Sequence, residues 1–325
     1  MAIPGFVDLQ VNGYKGVDFS SPSLSEDEIL YAADALIRAG TLFFLPTIIT
    51  SSVEVYRRNL ALLRRVVENT YLRDHIPGVH LEGPFISPEE GYRGVHREEW
   101  IRVPSVDFLH QLTEASGNFI RLLTMAAEQP GAEEVCRYAV SKGIVVSLGH
   151  QHPLRSHIDA LARAGASCLT HLGNAIPQMI HRYENALWPA LINDALMAMV
   201  VADGFHVSKE LLEIIIRIKG VDKVIVTSDV SPVGGMPPGT YHLLGIESVL
   251  EENGRLHCPQ TNSLAGSSFT MLQCANFLLS CSFVSPEEVE KMTFYNPLRL
   301  LGISPQTLLQ NKPLVSFRDN QFIPL

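Results

Sequence analysis

The sequence has no Cys-x-x-Cys pair, and its five cysteines are an odd number. A paired disulfide framework is therefore not expected, and the cysteines are predicted to be reduced, buried thiols. The stretch that leads to Asp8 carries no basic segment of the kind that opens a signal peptide. These two absences together favour a cytoplasmic protein.

Long apolar runs and clusters of basic residues are missing too. No stretch approaches the ~20 apolar residues of a membrane span, so no membrane partner is expected. The formal net charge is −9, from 25 basic and 34 acidic residues, and no run of Lys or Arg stands out. A nucleic-acid role is disfavoured, whereas an anionic substrate is still allowed because a few local cations can outweigh the overall sign.

What the chain does contain is an alternation of apolar strands with helices. Most of the predicted strands are followed by an amphipathic helix, and they fall at 6–11, 42–49, 78–82, 119–126, 144–148, 168–172, 197–202 and 223–227. Such alternation predicts parallel strands, and eight units predict a closed (β/α)₈ barrel. An open doubly wound sheet is the alternative, but no Gly-x-Gly-x-x-Gly turn follows the first strand.

The composition changes after the eighth predicted strand. Residues 231–239 are rich in Pro and Gly, and apolar runs on either side of Asn253-Gly254 predict a β-hairpin near 240–258. Gly266 is predicted to open a helix that runs to about Leu279. We therefore expect one barrel domain over 1–310, with the hairpin inserted in it, and a short tail over 311–325.

Four of the apolar strands end in residues that can bind a metal or carry a proton, namely Glu82, His150, His171 and Asp229. The carboxyl ends of barrel strands meet at one face, where active sites lie. One carboxylate and two imidazoles suffice for a catalytic divalent ion with an open position, which leaves Asp229 as general base and then acid. The plain alternative is four unrelated polar residues near strand ends.

Several stretches give a resemblance that spans 4–302: PGFVDLQVNG, HLEGPFISP, VSLGH, THLGNAIP, VADGFHVS, VTSD and LAGSS. They resemble the N-acetylglucosamine-6-phosphate deacetylase family of the amidohydrolase superfamily. The superfamily's usual His-x-His after the first strand is Gln10-Val11-Asn12 here, which is typical of members with a single metal. Gln10 and Asn12 would then support the ligands or mark a second metal position without its histidines.

The resemblance also implies roles for individual residues. Glu82, His150 and His171 would be the ligands of one divalent ion, most simply Zn²⁺, and Asp229 the acid/base. His96 would hold the substrate's carbonyl. The remaining implied residues would contact a phosphosugar: His206, Asn174, the Ala175 backbone and Arg182. The plain alternatives are a helix-capping loop histidine for His206 and a surface arginine for Arg182.

The sequence departs from the family pattern in three places. The small β-sandwich that the family builds from both chain ends is predicted to be missing or vestigial. Gly173 stands where the family usually has an aromatic residue, and the tract 181–186 differs around Arg182.

The function predicted is removal of the acetyl group from an N-acetylated amino-sugar phosphate. The rivals are another amide or cyclic-amide substrate, and a barrel that binds without catalysis. The resemblance further implies a homodimer in which the tract 177–189 reaches the neighbouring chain.

Overall fold

The computed structural model describes residues 2–243, 246–260, 263–310 and 312–325. The strands are β1 (Ala2–Ile3), β2 (Phe6–Val11), β3 (Gly13–Tyr14), β4 (Val17–Asp18), β5 (Thr41–Ile49), β6 (Val79–Glu82), β7 (Ile120–Met125), β8 (Val145–Leu148), β9 (Cys168–Leu169), β10 (Met197–Val201), β11 (Val224–Thr227), β12 (Gly239–Leu243), β13 (Ile246–Leu250), β14 (Leu256–His257), β15 (Val315–Arg318) and β16 (Gln321–Pro324). The helices are α1 (Glu26–Arg38), α2 (Val53–Asn69), α3 (Val106–Ser116), α4 (Ala132–Ser141), α5 (Arg155–Ala164), α6 (Leu187–Ile192), α7 (Lys209–Lys219), α8 (Met271–Ser280), α9 (Pro286–Glu290), α10 (Asn296–Leu300) and α11 (Gln306–Leu309).

Eight of these strands form one sheet in the order β11-β10-β9-β8-β7-β6-β5-β2. All neighbours in this sheet run parallel. A bridge between Val11 and Val230 brings the last strand back to the first. The predicted (β/α)₈ barrel is therefore confirmed, and the open doubly wound alternative is wrong.

The buried carboxylate of Asp8 completes the seam between β2 and β11. It accepts hydrogen bonds from Thr227 Oγ1 at 2.7 Å, from the Ser228 amide at 3.0 Å and from the Ser228 hydroxyl. Burial raises the pKa of Asp8, and these hydrogen bonds lower it only in part. A side chain within β2 thus joins the first strand to the end of the last one, in addition to the bridge.

The outer helices follow from amphipathic spacing and local caps. In α7 the residues Leu212, Ile215 and Ile216 face inward, at the three- and four-residue spacing of one helix face. Ser208 begins this helix by accepting a hydrogen bond from the Leu211 amide at 3.2 Å. The other barrel helices bury one face in the same way. No helix in the described ranges is long and apolar enough to cross a membrane.

The two ends of the chain meet in a separate sheet of β1, β15 and β16. β1 pairs antiparallel with β15, and the Leu314 amide donates to the Pro4 carbonyl at 3.0 Å. Phe322 of β16 packs edge-on against Phe6, with 5.7 Å between ring centroids. This small sheet agrees with the expectation of a missing or vestigial sandwich. The division into a barrel at 1–310 and a tail at 311–325 stays a prediction.

The helix predicted to open at Gly266 begins instead at Met271, so that prediction is wrong. The Ser267 amide donates to the Asp229 carbonyl at 3.0 Å, and the Ser231 amide donates to the Ser267 carbonyl at 2.8 Å. These bonds hold the segment extended beside the end of β11. Gln273 then closes a capping box at the true helix start.

Two strand predictions also differ in detail. The segment predicted as a hairpin near 240–258 is a three-stranded antiparallel sheet of β12, β13 and β14. The strand predicted over 168–172 ends at Leu169, because the backbone leaves the ladder before His171. Both differences lie at the barrel mouth, where loop geometry overrides the apolar pattern.

Candidate active site

A cavity of about 1100 Å³ opens at the carboxyl ends of the barrel strands. Most of the site residues predicted from the sequence line it: Asn12, Glu82, His96, His150, His171, Asn174, Ala175, His206 and Asp229. Each comes from a strand end or from the loop that follows, so the barrel gathers residues that are far apart in the chain. The position matches the active-site face of barrels of this kind.

Three of the strand-end residues have a left-handed backbone. The φ angles are 50° at His150, 28° at His171 and 50° at Asp229. Residues other than glycine rarely adopt this region, although His, Asp and Asn do so more readily than most. The backbone turns sharply just after each strand, and strain of this sort concentrates at functional sites.

Glu82, His150 and His171 form a compact group of potential ligands. Glu82 Oε1 lies 3.1 Å from His150 Nε2 and 2.9 Å from His171 Nε2, and the two nitrogens are 3.1 Å apart. Ligands about 2.1 Å from a tetrahedral ion are about 3.4 Å apart, so the three atoms need to spread only slightly to hold one. Among the described residues, this is the cluster of three whose ligand atoms lie within 4.8 Å of one another.

The charge of Glu82 is stabilised by this group. Burial opposes ionisation, but hydrogen bonds from His150 and His171 hold the pKa of the carboxyl well below its usual range. Gln10 Nε2 donates to the same Oε1 at 2.8 Å. For His171, burial lowers the pKa of the ring, and the hydrogen bond and charge of Glu82 outweigh it, so that the pKa is raised. Gln10 therefore supports the carboxylate directly.

His150 is oriented by a backbone carbonyl of the loop after β6. Its Nδ1 lies 3.0 Å from the Tyr92 carbonyl, which can only accept, so Nδ1 carries a proton. Nε2 faces Glu82 and is the ring atom that would bind a cation. The Ser87 amide donates to the His150 carbonyl at 2.8 Å and ties the same loop to the end of β8. Such support of a ligand histidine is usual at metal sites.

Asp229 lies beside this group, and its pKa is shifted in the opposite direction to that of Glu82. Burial raises the pKa of Asp229 to about 6, and the negative charge of Glu82 adds to the rise. Asn12 Nδ2 donates to one oxygen at 2.7 Å, and His206 Nε2 lies 4.0 Å from the other. Two buried carboxyl groups with pKa values this far apart are typical of acid/base sites.

His206 is held by the carboxylate of Asp203. Nδ1 donates to Asp203 Oδ2 at 2.7 Å, and Oδ1 accepts the amides of Phe205 and His206, each at 2.9 Å. Burial opposes ionisation of Asp203, yet its hydrogen bonds with His206 keep its pKa below the usual range. The carboxylate thus orients the ring so that Nε2 lies on the cavity side, near Asp229. The helix that follows is capped by Ser208, which disfavours the simple helix-cap alternative for His206.

His96 lies against the ligand group from the same loop after β6 that carries Tyr92. Its Nδ1 is 2.8 Å from Thr50 Oγ1, and its Nε2 is 3.8 Å from Glu82 Oε2. Burial lowers the pKa of His96 to about 3, and the neighbouring His150 lowers it as well. The imidazole is therefore neutral, and its Nε2 is the ring atom on the side of Glu82.

Not every residue singled out in the sequence joins the cavity. Arg182 is exposed and stacks on Tyr183, with 4.5 Å from the guanidinium carbon to the ring centroid. His80, two residues before Glu82 on β6, does not reach the cavity either and bonds Thr124 at 2.8 Å and Thr47 at 3.2 Å. Burial lowers the pKa of His80 to about 4, so it is a neutral, satisfied core residue.

Gly173 shows why an aromatic residue does not fit here. Its φ is 98°, and a Cβ would come within 2.9 Å of Val207 and 3.3 Å of Leu211. The start of α7 thus occupies the space that a side chain would need.

Sequence reasoning missed Thr50, Tyr92 and Asp203. Asp203 lies within the VADGFHVS stretch, which could have identified it as the partner of His206. The contribution of Tyr92 is a carbonyl oxygen, which every residue has, so no sequence signal marks it. Arg93 and Arg255 also line the cavity and were not singled out.

The chain matches the amidohydrolase family model over residues 1–307. It belongs to the amidohydrolase family. Among relatives, it is 33% identical over 309 residues to the N-acetylglucosamine-6-phosphate deacetylase of Bos taurus, covering 92% of this chain and 74% of the relative. It is 30% identical over 304 residues to the enzyme of the same name from Bacillus subtilis (strain 168), covering 93% and 75%.

Solved structures show the same fold. The N-acetylglucosamine-6-phosphate deacetylase of Pasteurella multocida superposes with a TM-score of 0.86 at 27% identity, over 98% of this chain and 82% of that one. The N-acetyl-D-glucosamine-6-phosphate deacetylase of Mycobacterium smegmatis gives a TM-score of 0.87 at 24% identity, over 99% and 87%. At 24% identity, the similarity to the Mycobacterium smegmatis structure supports the barrel fold and nothing further.

Proposed function

We propose that this protein is a metal-dependent hydrolase that removes the acetyl group from N-acetylglucosamine 6-phosphate or a close N-acetylated amino-sugar phosphate, giving acetate and the amino-sugar phosphate. The observation that carries the proposal is the ligand group of Glu82, His150 and His171 beside a carboxyl with a raised pKa at Asp229. The names of the relatives support the same activity.

The residues fit one divalent ion, which Glu82, His150 and His171 would hold. Two imidazoles and one carboxylate suit zinc. When bound, the ion would supply Lewis-acid activation of water and of the acyl oxygen. Gln10 and Asn12, which bond Glu82 and Asp229, would support the carboxylates, and they offer amides where a second ion would need imidazoles.

The chain's own groups would move the proton. Asp229, ionised above pH about 6, would take a proton from the attacking water and return it to the departing amine nitrogen. Asn12 fixes one oxygen of Asp229 and leaves the other toward the cavity. His96 would donate from Nε2 to the acyl oxygen as negative charge develops there. Burial of the site strengthens each of these contacts.

The phosphate would lie toward β9 and β10. His206, held in place by Asp203, would contact it through Nε2, and the left-handed backbone at Ala175, with φ 52°, would aim main-chain N–H groups from the loop that also carries Asn174. Arg182 would come from a second copy of the chain, since it lies outside its own cavity. Support for this homodimer comes from the exposed apolar side chains around it, with Met179 88% and Tyr183 70% exposed.

A cytoplasmic location completes the proposal. In the described part of the chain all five cysteines are buried thiols without a disulfide, which is usual in a reducing compartment.

The test combines metal content with acetate release. Protein loaded with Zn²⁺ and freed of excess should hold about one ion per chain and release acetate from N-acetylglucosamine 6-phosphate. Glu82→Gln should lose both properties, whereas Glu133→Gln, which changes an exposed carboxylate on α4, should keep both.

Each other outcome has a distinct meaning. Two tightly held ions would contradict the single-ion proposal. Bound metal with hydrolysis of other amides alone would favour a different amidohydrolase substrate. Absence of both metal and hydrolysis would favour a barrel that only binds.

A further inference from the structure

Asp18 is a cavity carboxylate to which the proposed chemistry gives no role. It lies on β4, which pairs with β3 to form a short hairpin directly after β2. The Phe19 amide donates to the Asn12 carbonyl at 3.0 Å, and the Gly16 amide donates to the Pro232 carbonyl at 2.7 Å. These bonds fix the hairpin against the strand ends, and Asp18 and Asn12 both line the cavity.

The carboxylate of Asp18 is only partly satisfied by the protein. One oxygen accepts the Ser20 amide at 2.7 Å. Burial raises the pKa of Asp18 to about 6, the Ser20 bond offsets this only in part, and no cation of the described residues contributes. A carboxylate can accept about four hydrogen bonds, so this one can take further donors from a ligand. Hydroxyl groups are neutral donors of that kind.

The barrel geometry indicates which part of a ligand would face it. Ser20 Oγ accepts the Ile49 amide at the end of β5, so the hairpin lies over β2 and β5. In the strand order, β5 is four places from β9 in both directions around the ring. Asp18 is thus across the mouth from Asn174 and from the side where the phosphate would lie.

The sugar's covalent structure then restricts the donors. In an N-acetyl-hexosamine 6-phosphate, ring carbons C2 and C5 are opposite each other, so the acetamido group and the phosphate point to opposite ends. With the acetamido group at Glu82 and Asp229 and the phosphate toward β9, the groups left near β2 are the hydroxyls on C1 and C3, which flank C2. The acetyl methyl group is not a hydrogen-bond donor, so it is not a partner for the carboxylate of Asp18.

We propose that Asp18 is a specificity-determining residue that accepts a hydrogen bond from a sugar hydroxyl next to the acetamido carbon. The inference rests on the proposed function for the orientation of the sugar. Asp18 would thereby reject acetamides that lack a hydroxyl at that position, because its carboxylate would then be desolvated without a partner.

The test is a cycle of protein and substrate changes on the metal-loaded enzyme. The substrates are N-acetylglucosamine 6-phosphate and its 1-deoxy and 3-deoxy analogues. For the wild type, deleting the recognised hydroxyl should lower kcat/KM roughly tenfold to a hundredfold, as for a hydrogen bond to a charged group. Asp18→Ala should lower kcat/KM by a similar factor on the full substrate and should have no further effect on that analogue.

Two further variants separate recognition from folding. Asp18→Asn keeps an acceptor for the Ser20 amide, so it should fold normally and still lose most of the discrimination. Glu133→Gln changes an exposed carboxylate on α4, outside the cavity, and should leave all three substrates unaffected. Equal losses on all three substrates with Asp18→Ala, or no loss on any, would overturn the assignment.

Calorimetry on the metal-loaded protein separates this inference from the proposed activity. Binding of the three compounds to wild type and to Asp18→Ala should follow the same pattern as kcat/KM. Asp18-dependent binding without acetate release would refute the activity and retain the assignment. Acetate release with binding that ignores Asp18 would refute the assignment alone, and absence of any binding would refute both.

Discussion

Replacement of Asp229 by Asn should lower activity and raise stability at the same time. Asn has nearly the shape of Asp, and its amide oxygen can still accept the hydrogen bond from Asn12 Nδ2. It cannot take up and return a proton, so kcat should fall by about 10²–10⁴-fold, the usual contribution of a positioned acid/base group. KM should change little, because the ligand group is complete without this residue.

The stability change follows from the raised pKa of Asp229. Burial raises the pKa of Asp229 from 3.8 to about 6, with a further contribution from the charge of Glu82. Between these values the folded chain binds more protons than the unfolded chain, so wild-type stability falls as the pH rises through that window. Asn removes this loss. Metal-free Asp229→Asn should therefore match the wild type near pH 4 and exceed it above pH about 6, by at most about 3 kcal/mol.

The assay pairs two measurements on one preparation. Acetate release is followed with the metal-loaded protein, and thermal unfolding is followed from pH 4 to 8 after chelation. A variant with low activity and a lower Tm at every pH would show a folding defect and refute the reasoning. Near-normal turnover would rule out Asp229 as the base, and loss of the metal would make Asp229 a ligand.

Three other outcomes are expected. His206→Ala should raise KM for a phosphorylated substrate far more than for its unphosphorylated analogue, because a charge-assisted contact contributes about 1.5–3 kcal/mol. Steady-state kinetics on both substrates would show the difference. Equal losses would speak against recognition of the phosphate by His206. Sedimentation should give the mass of a dimer. When Arg182→Ala and Asp229→Asn chains are mixed, activity should be recovered, because a hybrid dimer has one site with both Arg182 and Asp229 intact. A fully active monomer would contradict this assembly. Asp8→Ala should lower the free energy of unfolding by about 2–4 kcal/mol in denaturant titrations, since it leaves several buried donors unpaired at the barrel seam. An unchanged midpoint would show that the bridge between Val11 and Val230 closes the barrel without Asp8.

The barrel was predictable because its signal is repeated along the chain. Most apolar strands are followed by an amphipathic helix that often ends at glycine, so an error in one unit does not change the count. The prediction of a helix that opens at Gly266 was wrong for the opposite reason. Its Gly-Ser-Ser sequence favours a helix start locally, but hydrogen bonds from Ser267 and Ser231 at the end of β11 decide its conformation. Those partners lie far away in the sequence.

The residues at the strand ends were predictable, and their supports were not. Glu82 and His150 follow apolar runs, and the residue types themselves point to metal chemistry. The Tyr92 carbonyl that orients His150 depends on the path of a loop with little regular structure. Asp18 was equally hidden, because a lone aspartate in a short hairpin has no pattern until the barrel places it at the cavity.

The left-handed backbone at His150, His171 and Asp229 has a consequence for directed evolution. At these three positions glycine would relax the main chain, so the substitutions that raise the melting temperature most readily include ones that abolish the site. A library selected by heat alone would drift toward inactive proteins. Selection for robust variants of this barrel should therefore keep turnover as a second filter in every round, or hold these three codons fixed.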